Sequence, residues 1–305
     1  MPEAAPLPAA LLSALHAALA AAGEALPIRS YEQLKGGFTS NAVKISARRG
    51  VYLLKWSERA RPDVYVNEAH SLAAIGRAGV MRVPQVLAAA LPDGAAPAFM
   101  LQEFIATRKG GWPKDMNSRL GALIATLHLS ARAAAGYGVV AQLEPVAGVV
   151  IGLKPDWIAV YTTWYLQPAL EHAERTGLLS AELRHGLFAL FARLPALLGG
   201  VARAPALIHG DLWRNNVLAD TRGAPVLIDA HAAYADREYE LMIAELYGGF
   251  GPSFFSAYEA TWPSEPGRRE RFDLYRLSYL LTRLGDSCYG STAAEIAAVV
   301  RWYAG

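Results

Sequence analysis

The stretch LIHGDLWRNNVLADTRGAPVLID, residues 207–229, decides which fold this chain is expected to adopt. A short apolar run leads into His209-Gly210-Asp211, and Asn216 follows five residues after Asp211. A second apolar run delivers Asp229 a further thirteen residues on, after the turn-forming cluster 220–223. The pattern predicts two short strands that bring two carboxylates and one carboxamide to the same rim.

These residue types suit phosphoryl transfer. That reaction needs a group to accept the proton of the attacking hydroxyl, and oxygen ligands to hold magnesium on the nucleotide phosphates. The stretch resembles the catalytic loop and metal-binding aspartate of protein-kinase-like phosphotransferases, with the pattern H-x-D-x-x-x-x-N followed by Asp after the next strand. The resemblance implies that Asp211 is the proton acceptor and that Asn216 and Asp229 are magnesium ligands.

Composition sets broad limits on the chain. Its 305 residues are enough for two lobes or one large domain, and 53% hydrophobic with 18% charged residues is typical of a globular protein. The formal net charge of +2, from 29 basic and 27 acidic residues, gives no reason to expect nucleic-acid or membrane-surface partners. The single cysteine, Cys288, excludes an internal disulfide and favours a reducing cytoplasm.

The uncharged run at residues 4–23 could be mistaken for a membrane span. It contains two prolines and a histidine, is rich in alanine and follows Glu3 rather than a basic segment. Its leucines recur at helical spacing, at positions 11, 12, 15 and 19. The run is therefore predicted to be an amphipathic N-terminal helix.

A glycine turn lies between predicted strands near the start of the chain, ahead of the alternating strand 42–46 and a further strand at 51–55. Glycine lets a backbone approach phosphate closely and direct N–H groups at it. The predicted phosphate-binding residues are Gly36, Gly37, Phe38, Thr39, Ser40 and Asn41. Taken alone, the pair of glycines would equally fit an ordinary hairpin turn.

Lys55 ends an apolar strand, where a charge needs a partner. Glu68 lies thirteen residues later in a helical stretch, 64–75, that follows Pro62-Asp63. Kinases use a strand lysine held by a helix glutamate to reach the nucleotide phosphates. Although either residue could instead be a solvated surface charge, we predict an ion pair between them.

Two more strands are predicted at 83–87 and 98–103, about the turn at Asp93-Gly94, which completes a five-stranded antiparallel small lobe. The hinge, whose backbone would meet adenine, is predicted at Gln102, Glu103, Phe104 and Ile105. The fold class is thus α+β: a nucleotide-binding lobe at 1–105 and a mainly helical catalytic and substrate lobe at 106–305. In the second lobe, His128 is expected to be a packed helix-end histidine.

The wider sequence resembles the fructosamine/ketosamine kinase family. The resemblance rests on HGDLW with Asn216 at the required spacing, on LID, DRE and ELYGGF, and on YEATWP before the helix at 274–281. It implies an ATP- and Mg²⁺-dependent kinase that phosphorylates a sugar hydroxyl, the 3-hydroxyl, of a ketosamine. The substrate would be a small sugar-amine, either free or on a glycated lysine in deglycation or protein repair, and the enzyme would be a monomer or homodimer.

Three residues are candidates for acceptor binding. Asp211 would contact the reacting hydroxyl, and Trp213 could stack on the sugar or pack beneath the loop. His231 could face the cleft or be an ordinary turn residue, and Asp236 is expected to hold the catalytic loop to the segment of Arg237.

Two other functions stay open. An aminoglycoside- or choline-type phosphotransferase shares the HGD…N…D core; the aminoglycoside version would need an acid-rich cleft, for which Glu238, Glu240 and Glu245 are too few to decide. A non-catalytic nucleotide-binding module could keep the fold, although every expected catalytic position is filled.

Overall fold

The computed structural model of the protein describes residues 7–24, 28–34, 41–130, 136–140, 153–199, 204–286 and 292–304. The predicted phosphate-loop residues Gly36, Gly37, Phe38, Thr39 and Ser40 lie outside the described residues, as does Cys288. Asn41 is described, as the first residue of a strand.

The N-terminal part contains the predicted five-stranded antiparallel sheet, whose strands lie in the order β1-β2-β3-β5-β4. Alternating apolar residues in β2 and a continuous apolar run in β5 place these strands on a core, whereas β1 is an exposed edge strand. The strands are β1 (Ser30–Gln33), β2 (Asn41–Ser46), β3 (Val51–Ser57), β4 (Val86–Ala90) and β5 (Ala98–Glu103). The prediction of this sheet is confirmed.

Two helices accompany the sheet, α1 (Ala9–Ala21) and α2 (Val64–Arg77). Helical spacing places Leu11, Leu15 and Leu19 on one side of α1, and all three are fully buried against the sheet. The amphipathic helix predicted from the leucine spacing is therefore present. No helix in the described part of the chain is long and apolar enough to cross a membrane.

The remainder is mainly helical, as predicted. Its helices are α3 (Met116–Ser130), α4 (Trp157–Tyr161), α5 (Gln167–Arg175), α6 (Ala181–Leu198), α7 (Arg237–Tyr247), α8 (Pro252–Thr261), α9 (Arg268–Thr282) and α10 (Thr292–Ala304). A π-helical turn, Thr162–Leu166, joins α4 to α5. Helices α3 and α8 pack closely, since a Cβ on Gly121 would lie 2.0 Å from the carbonyl oxygen of Phe254.

Short strands carry the stretch from which the fold was predicted. Strand β7 (Ala206–Ile208) pairs with β10 (Ala233–Ala235), which also pairs with β6 (Gly138–Val139). Strands β8 (Val217–Ala219) and β9 (Pro225–Leu227) form a separate hairpin. The turn at its end is the predicted cluster beginning at Asp220, whose backbone N–H bonds to Ala224. The stretch therefore contributes to two sheets, and both deliver their residues to the same rim.

Candidate active site

The catalytic-loop candidates Asp211 and Asn216 are in direct contact. The Nδ2 of Asn216 donates to Oδ2 of Asp211 at 2.7 Å and to its carbonyl oxygen at 2.9 Å. A single 3₁₀ turn, Arg214–Asn216, brings the amide back across the loop, and Asn216 is buried while Asp211 is half-buried. The five-residue spacing in the sequence thus closes a small hydrogen-bonded ring.

Gly210 lets this loop pass close to the segment after β9. Its φ is +84°, and a Cβ there would lie 2.0 Å from the carbonyl oxygen of His231. On either side of this approach, His231 N–H donates to the carbonyl of His209 at 2.8 Å, and the His209 ring Nε2 lies 2.9 Å from the carbonyl oxygen of Ile228. Only glycine combines the left-handed backbone with the missing side chain that this approach requires.

A carboxylate for which the sequence predicted no structural role supports the loop. Glu240, on α7, is fully buried, and its two oxygens accept the backbone N–H groups of His209 at 2.8 Å and Gly210 at 2.7 Å. The ring of His128 lies 3.1 Å from the same carboxylate and 2.8 Å from the hydroxyl of Tyr258. His128 is therefore the packed helix-end residue that was predicted.

Burial alone would raise the pKa of Glu240. The hydrogen bond and charge of His128, together with the His209 backbone, outweigh that effect and lower its pKa. The carboxylate is thus held in its charged form beneath the loop. In the sequence, Glu240 stands out only as one of three acids weighed for an aminoglycoside cleft.

The other acidic candidates of α7 also have partners. Glu238 receives Arg271 through two hydrogen bonds, at 2.6 and 2.7 Å, and Glu245 pairs with Arg268. None of the three acids of α7 is therefore an unpaired carboxylate available to several ammonium groups. Asp236 caps α7 through the Glu238 N–H at 2.9 Å and accepts the hydroxyl of Tyr275 at 2.6 Å. It thus links α7 to α9, while the carboxylate bonded to the loop N–H groups is that of Glu240.

The predicted lysine–glutamate pair is present. Nζ of Lys55 lies 2.7 Å from Oε1 of Glu68 and 2.5 Å from Oδ1 of Asp229. Burial lowers the pKa of Lys55, but the two carboxylates more than compensate and raise it above its ordinary value. The ammonium group is therefore charged, nearly buried and aimed at the rim that carries Asp229.

Asp229 has an unusual backbone. Its φ of +56° makes it the one non-glycine residue with a positive φ in the described part of the chain. This region costs roughly 1–2 kcal/mol for an L-residue, so the surrounding contacts must hold it there. Backbone strain of this kind tends to lie at functional positions, and here it turns the carboxylate towards Lys55.

The donor set at this rim suits magnesium bound together with a nucleotide. The Nδ2 of Asn216 is used on Asp211, which leaves its Oδ1 free to act as a ligand. Oδ1 of Asp229 contacts Lys55, and the side chain is 44% exposed, so Asp229 can offer oxygen to a metal. Magnesium commonly takes one or two protein oxygens and completes its shell with phosphates and water. The residues present fit that ion.

The hinge candidates differ in what their backbone offers. Glu103 N–H donates to Gln85 at 2.8 Å, and Phe104 N–H donates to Val51 at 3.1 Å. Within the described part of the chain, no acceptor faces the N–H of Ile105. The side chain of Gln102 is buried, with an Oε1 that has no partner among the described residues. Ile105 therefore carries the hinge N–H that is free for a ligand.

An arginine that the sequence did not indicate joins the end of β5 to the β8–β9 hairpin. Arg82 pairs with Glu103 at 2.6 Å and with Asp220, in the β8–β9 turn, at 2.8 Å. Its carbonyl also accepts the N–H of Leu227 at 3.0 Å. These contacts fix the hairpin relative to the end of β5.

Aromatic residues line the other side of Asp211. The half-buried Trp213 ring lies 6.1 Å from that of Tyr247, which lies 5.4 Å from Tyr279. Burial, the neighbouring Tyr247 and the charge of Asp211 raise the pKa of Tyr279. The guanidinium of Arg283 lies 4.2 Å from the centre of the Tyr247 ring. Trp213 thus packs on α7 and keeps part of its surface exposed, while the side chain of His231 is exposed.

The fold and this convergence of residues define a phosphotransferase of the protein-kinase-like class. The structure aligns with a crystal structure named putative fructosamine-3-kinase from Thermobifida fusca, with a TM-score of 0.76, 21% identity and coverage of 97% of this chain and 100% of the other. It also aligns with an aminoglycoside phosphotransferase, APH(4)-Ia, in ternary complex with AMP-PNP and hygromycin B, with a TM-score of 0.63, 16% identity and coverage of 90% and 94%.

The family model described as fructosamine kinase matches residues 13–299. A probable ketoamine kinase from Lactiplantibacillus plantarum is 31% identical over 273 residues, which cover 88% of this chain and 92% of the relative. A chloroplastic protein-ribulosamine 3-kinase from Oryza sativa subsp. indica is 31% identical over 280 residues, which cover 90% and 79%. The chain therefore belongs to the fructosamine kinase family, and it is a kinase that phosphorylates a hydroxyl group.

Proposed function

We propose that the protein transfers the γ-phosphoryl group of ATP to a sugar hydroxyl of a ketosamine, such as a fructosamine or ribulosamine. The observation that carries the proposal is the meeting of Asp211, Asn216, Lys55 and Asp229 at one rim in a member of this family. Mouse ketosamine-3-kinase, 28% identical over 271 residues, is named for phosphorylation at position 3. The 3-hydroxyl is accordingly the proposed acceptor.

Asp211 is the proposed proton acceptor. As the sugar oxygen forms its bond to the γ-phosphorus, the bond to the bridging oxygen of ADP breaks and the hydroxyl proton passes to the Asp211 carboxylate. The Asn216 amide, at 2.7 Å, holds one carboxylate oxygen in place and leaves the other for the substrate. The N–H groups of His209 and Gly210 donate to Glu240, which fixes the backbone that carries the Asp211 carboxylate.

Lys55, Glu68 and the residues of the hinge form the proposed nucleotide site. Lys55 would neutralise the α- and β-phosphates, and Glu68 would keep the ammonium group aimed at them. The N–H of Ile105 is the proposed hinge donor to adenine. The loop Gly36 to Asn41 is proposed to cover the phosphates, and the chain is proposed to divide into lobes at residues 1–105 and 106–305.

Asn216 and Asp229 are the proposed magnesium ligands. The ion, when bound, would neutralise charge on the phosphates of the nucleotide. Asp229 can serve because its strained backbone presents the carboxylate to the rim, and Asn216 because its amide oxygen stays free. The 2.5 Å contact between Lys55 and Asp229 holds the two side chains together at the proposed nucleotide site.

The acceptor is proposed to lie on the aromatic side of Asp211, against the exposed part of Trp213. Trp213 packs on Tyr247, so its orientation is fixed before a sugar binds. The exposed His231 is proposed to border the same cleft. The ketosamine could be a free sugar-amine or one attached to a glycated lysine, and we propose action in the cytoplasm as a monomer or homodimer.

The structure supports the alternatives less well. An aminoglycoside acceptor with several ammonium groups would need unpaired carboxylates, and Glu238, Glu240 and Glu245 are each engaged by arginine, histidine or backbone N–H groups. A non-catalytic module would have no need of the strained Asp229 or of the buried supports beneath Asp211.

The test is an incubation of the purified protein with ATP, magnesium and a ribulosamine or fructosamine of lysine, followed by mass spectrometry for phosphate added to the sugar. Asp211→Asn serves as the blank. A phosphorylated product that depends on Asp211 supports the proposal. Turnover of ATP only with a choline or aminoglycoside acceptor would replace the ketosamine assignment, and absence of turnover with every acceptor would favour the binding module.

A further inference from the structure

Arg214 differs from the other arginines near the site in having almost no polar partner. It follows Asp211 by three residues and opens the 3₁₀ turn that leads to Asn216. Its one hydrogen bond in the described part of the chain is a long contact of 3.5 Å from Nη1 to the carbonyl of Val217, and no carboxylate there pairs with it. A guanidinium offers five N–H donors, so most of them are unused.

The side chain is nevertheless held in place from two sides. The guanidinium carbon of Arg214 lies 3.5 Å from the centre of the Trp112 ring, which is the geometry of a cation–π contact. On the other side, Gly249 approaches so closely that a Cβ on it would lie 2.3 Å from Cβ of Arg214. Trp112 is in turn stacked on Phe250, with ring centres 6.2 Å apart. The arginine is therefore preorganised and half-buried rather than freely solvated.

The segment that packs on Arg214 is rich in basic residues. Segment 108–119, which contributes Trp112, carries four cations (Arg108, Lys109, Lys114 and Arg119) and one carboxylate, Asp115. Burial lowers the pKa of the Arg214 guanidinium. A charge left unpaired at such a position costs free energy that a bound anion would recover.

The distance between Arg214 and Asp211 indicates which molecule would carry that anion. Three residues span at most about 10 Å, so Arg214 and Asp211 are within reach of one small acceptor. Trp213 and Arg214 also lie side by side against the end of α7 and the residues after it, through Tyr247 and Gly249 respectively. An acceptor whose hydroxyl meets Asp211 can therefore extend along this strip to the guanidinium.

We propose that Arg214, stacked on Trp112, is a specificity residue that binds an anionic group of the acceptor, a carboxylate or a phosphate. Planar, fixed guanidinium groups bind both oxyanions through paired hydrogen bonds. The preferred acceptors would then be ketosamines that carry such a group, for example ketosamines of free amino acids or sugar-phosphate ketosamines. The inference rests on the proposed function of the site.

The test compares acceptors that differ only in the anion. The first pair is the ketosamine of glycine and that of glycinamide; the second is the glycinamide ketosamine with and without a phosphate on the terminal sugar carbon. Wild-type protein is expected to show a KM roughly 10- to 100-fold lower for the anionic member of at least one pair, because a charge-assisted hydrogen bond stabilises a complex by about that factor. The pair that responds identifies the source of the anion.

Arg214→Gln is expected to abolish that preference, and Arg214→Lys to retain only part of it, because lysine keeps the charge but not the planar fork. Arg222→Gln removes the same charge from the exposed turn between β8 and β9 and should leave the preference as it is in the wild type. The ratio between two acceptors is the readout, so a general loss of activity does not imitate the effect.

Three results would overturn the inference. Equal KM values within both acceptor pairs would do so even without a variant. If Arg222→Gln removed the preference as fully as Arg214→Gln, the preference would come from the overall positive charge of the protein and not from Arg214. If Arg214→Gln raised only the KM for ATP, Arg214 would bind the nucleotide and not the acceptor. If calorimetry shows no binding of any ketosamine and none is phosphorylated, the proposed function fails first, and this inference fails with it.

Discussion

Nζ of Lys55 lies 2.5 Å from Oδ1 of Asp229, although 174 residues separate them in the chain. The contact joins the third strand of the N-terminal sheet to Asp229, the second residue after β9. Because Lys55 also binds Glu68 at 2.7 Å, one ammonium group ties together a strand, helix α2 and the rim of the proposed metal site. The side chains of Lys55 and Glu68 are 11% and 9% exposed, so neither is readily stabilised by water alone.

Lys55→Met should damage stability and activity for different reasons. The substitution leaves Glu68 as a buried carboxylate without its counter-ion, which typically costs about 3–5 kcal/mol of the free energy of unfolding. The double variant Lys55→Met/Glu68→Leu removes both charges and should recover most of that loss in urea unfolding. Both variants should lose roughly 10²–10³-fold in kcat, as for removal of one preorganised electrostatic donor. Recovery of activity along with stability in the double variant would contradict a role for Lys55 in the reaction.

Asp211→Asn should reduce kcat by about 10²–10⁴-fold, the usual contribution of a general base. The asparagine oxygen can still accept the Asn216 amide, so the free energy of unfolding should change little. Asp115→Asn, on the exposed start of the neighbouring helix, removes the same charge and should retain wild-type kcat. A large loss of stability in Asp211→Asn would mean that the carboxylate supports the loop instead of the reaction.

Glu240→Gln should destabilise the protein in a pH-dependent way. Both carboxylate oxygens of Glu240 accept backbone N–H groups, whereas glutamine would place an NH₂ donor opposite one of them. That buried N–H donor would be left unpaired, at a cost of about 1–3 kcal/mol. The pKa of Glu240 is lowered in the folded protein from an ordinary value of 4.5. Its charged form therefore contributes stability that is complete above pH 4.5 and is lost as the pH falls through the lowered pKa.

Urea unfolding of wild type and Glu240→Gln between pH 7 and pH 3 measures this effect. The difference between the two should be constant near neutrality and shrink below about pH 4.5. Glu182→Gln, an exposed position on α6, is the matched control and should show no such difference. A gap that stays constant down to pH 3 would exclude the charge of Glu240 as its source.

Gly210→Ala should be far more costly than alanine at a glycine with the same backbone conformation. Gly94 has φ +89° and open space around its Cα, so Gly94→Ala should cost only the left-handed strain of roughly 1–2 kcal/mol. Gly210→Ala adds a Cβ that would lie 2.0 Å from the carbonyl of His231, and overpacking typically costs a further 1–3 kcal/mol, roughly. Thermal unfolding of the two variants measures the difference. Equal losses would show that the loop can move away from His231 without cost.

Local sequence patterns predicted many of the helices, strands and turns of this fold, because these elements depend on interactions between residues close in the chain. The leucine spacing of α1, the alternation in β2 and the turn residues between β8 and β9 predict elements that the structure contains. The fixed interval between Asp211 and Asn216 predicts a contact that one 3₁₀ turn closes. The pair Lys55–Glu68 was predictable because a charge at the end of an apolar strand needs a partner and because kinases pair a strand lysine with a helix glutamate.

Other parts of the site have no local signal. Glu238, Glu240 and Glu245 look alike in the sequence, as acids along one helix. Only packing distinguishes them: Glu240 faces the loop and His128, while Glu238 and Glu245 face arginines of α9. Which face of α7 is buried depends on how that helix packs on β7 and α9, and those partners come from distant parts of the chain.

The sequence by itself determined the set of reactive groups and the order in which the chain presents them: lysine and glutamate early, then the loop of Asp211 and Asn216, then Asp229. The tertiary structure alone decided which other groups surround these residues. Glu240 accepts the N–H groups of His209 and Gly210 and so supports the loop, and Arg214 lies on Trp112 beside it. The physical reason is range. Turn geometry and side-chain spacing act over a few residues, whereas burial and pairing of a charge depend on which distant segments pack around it.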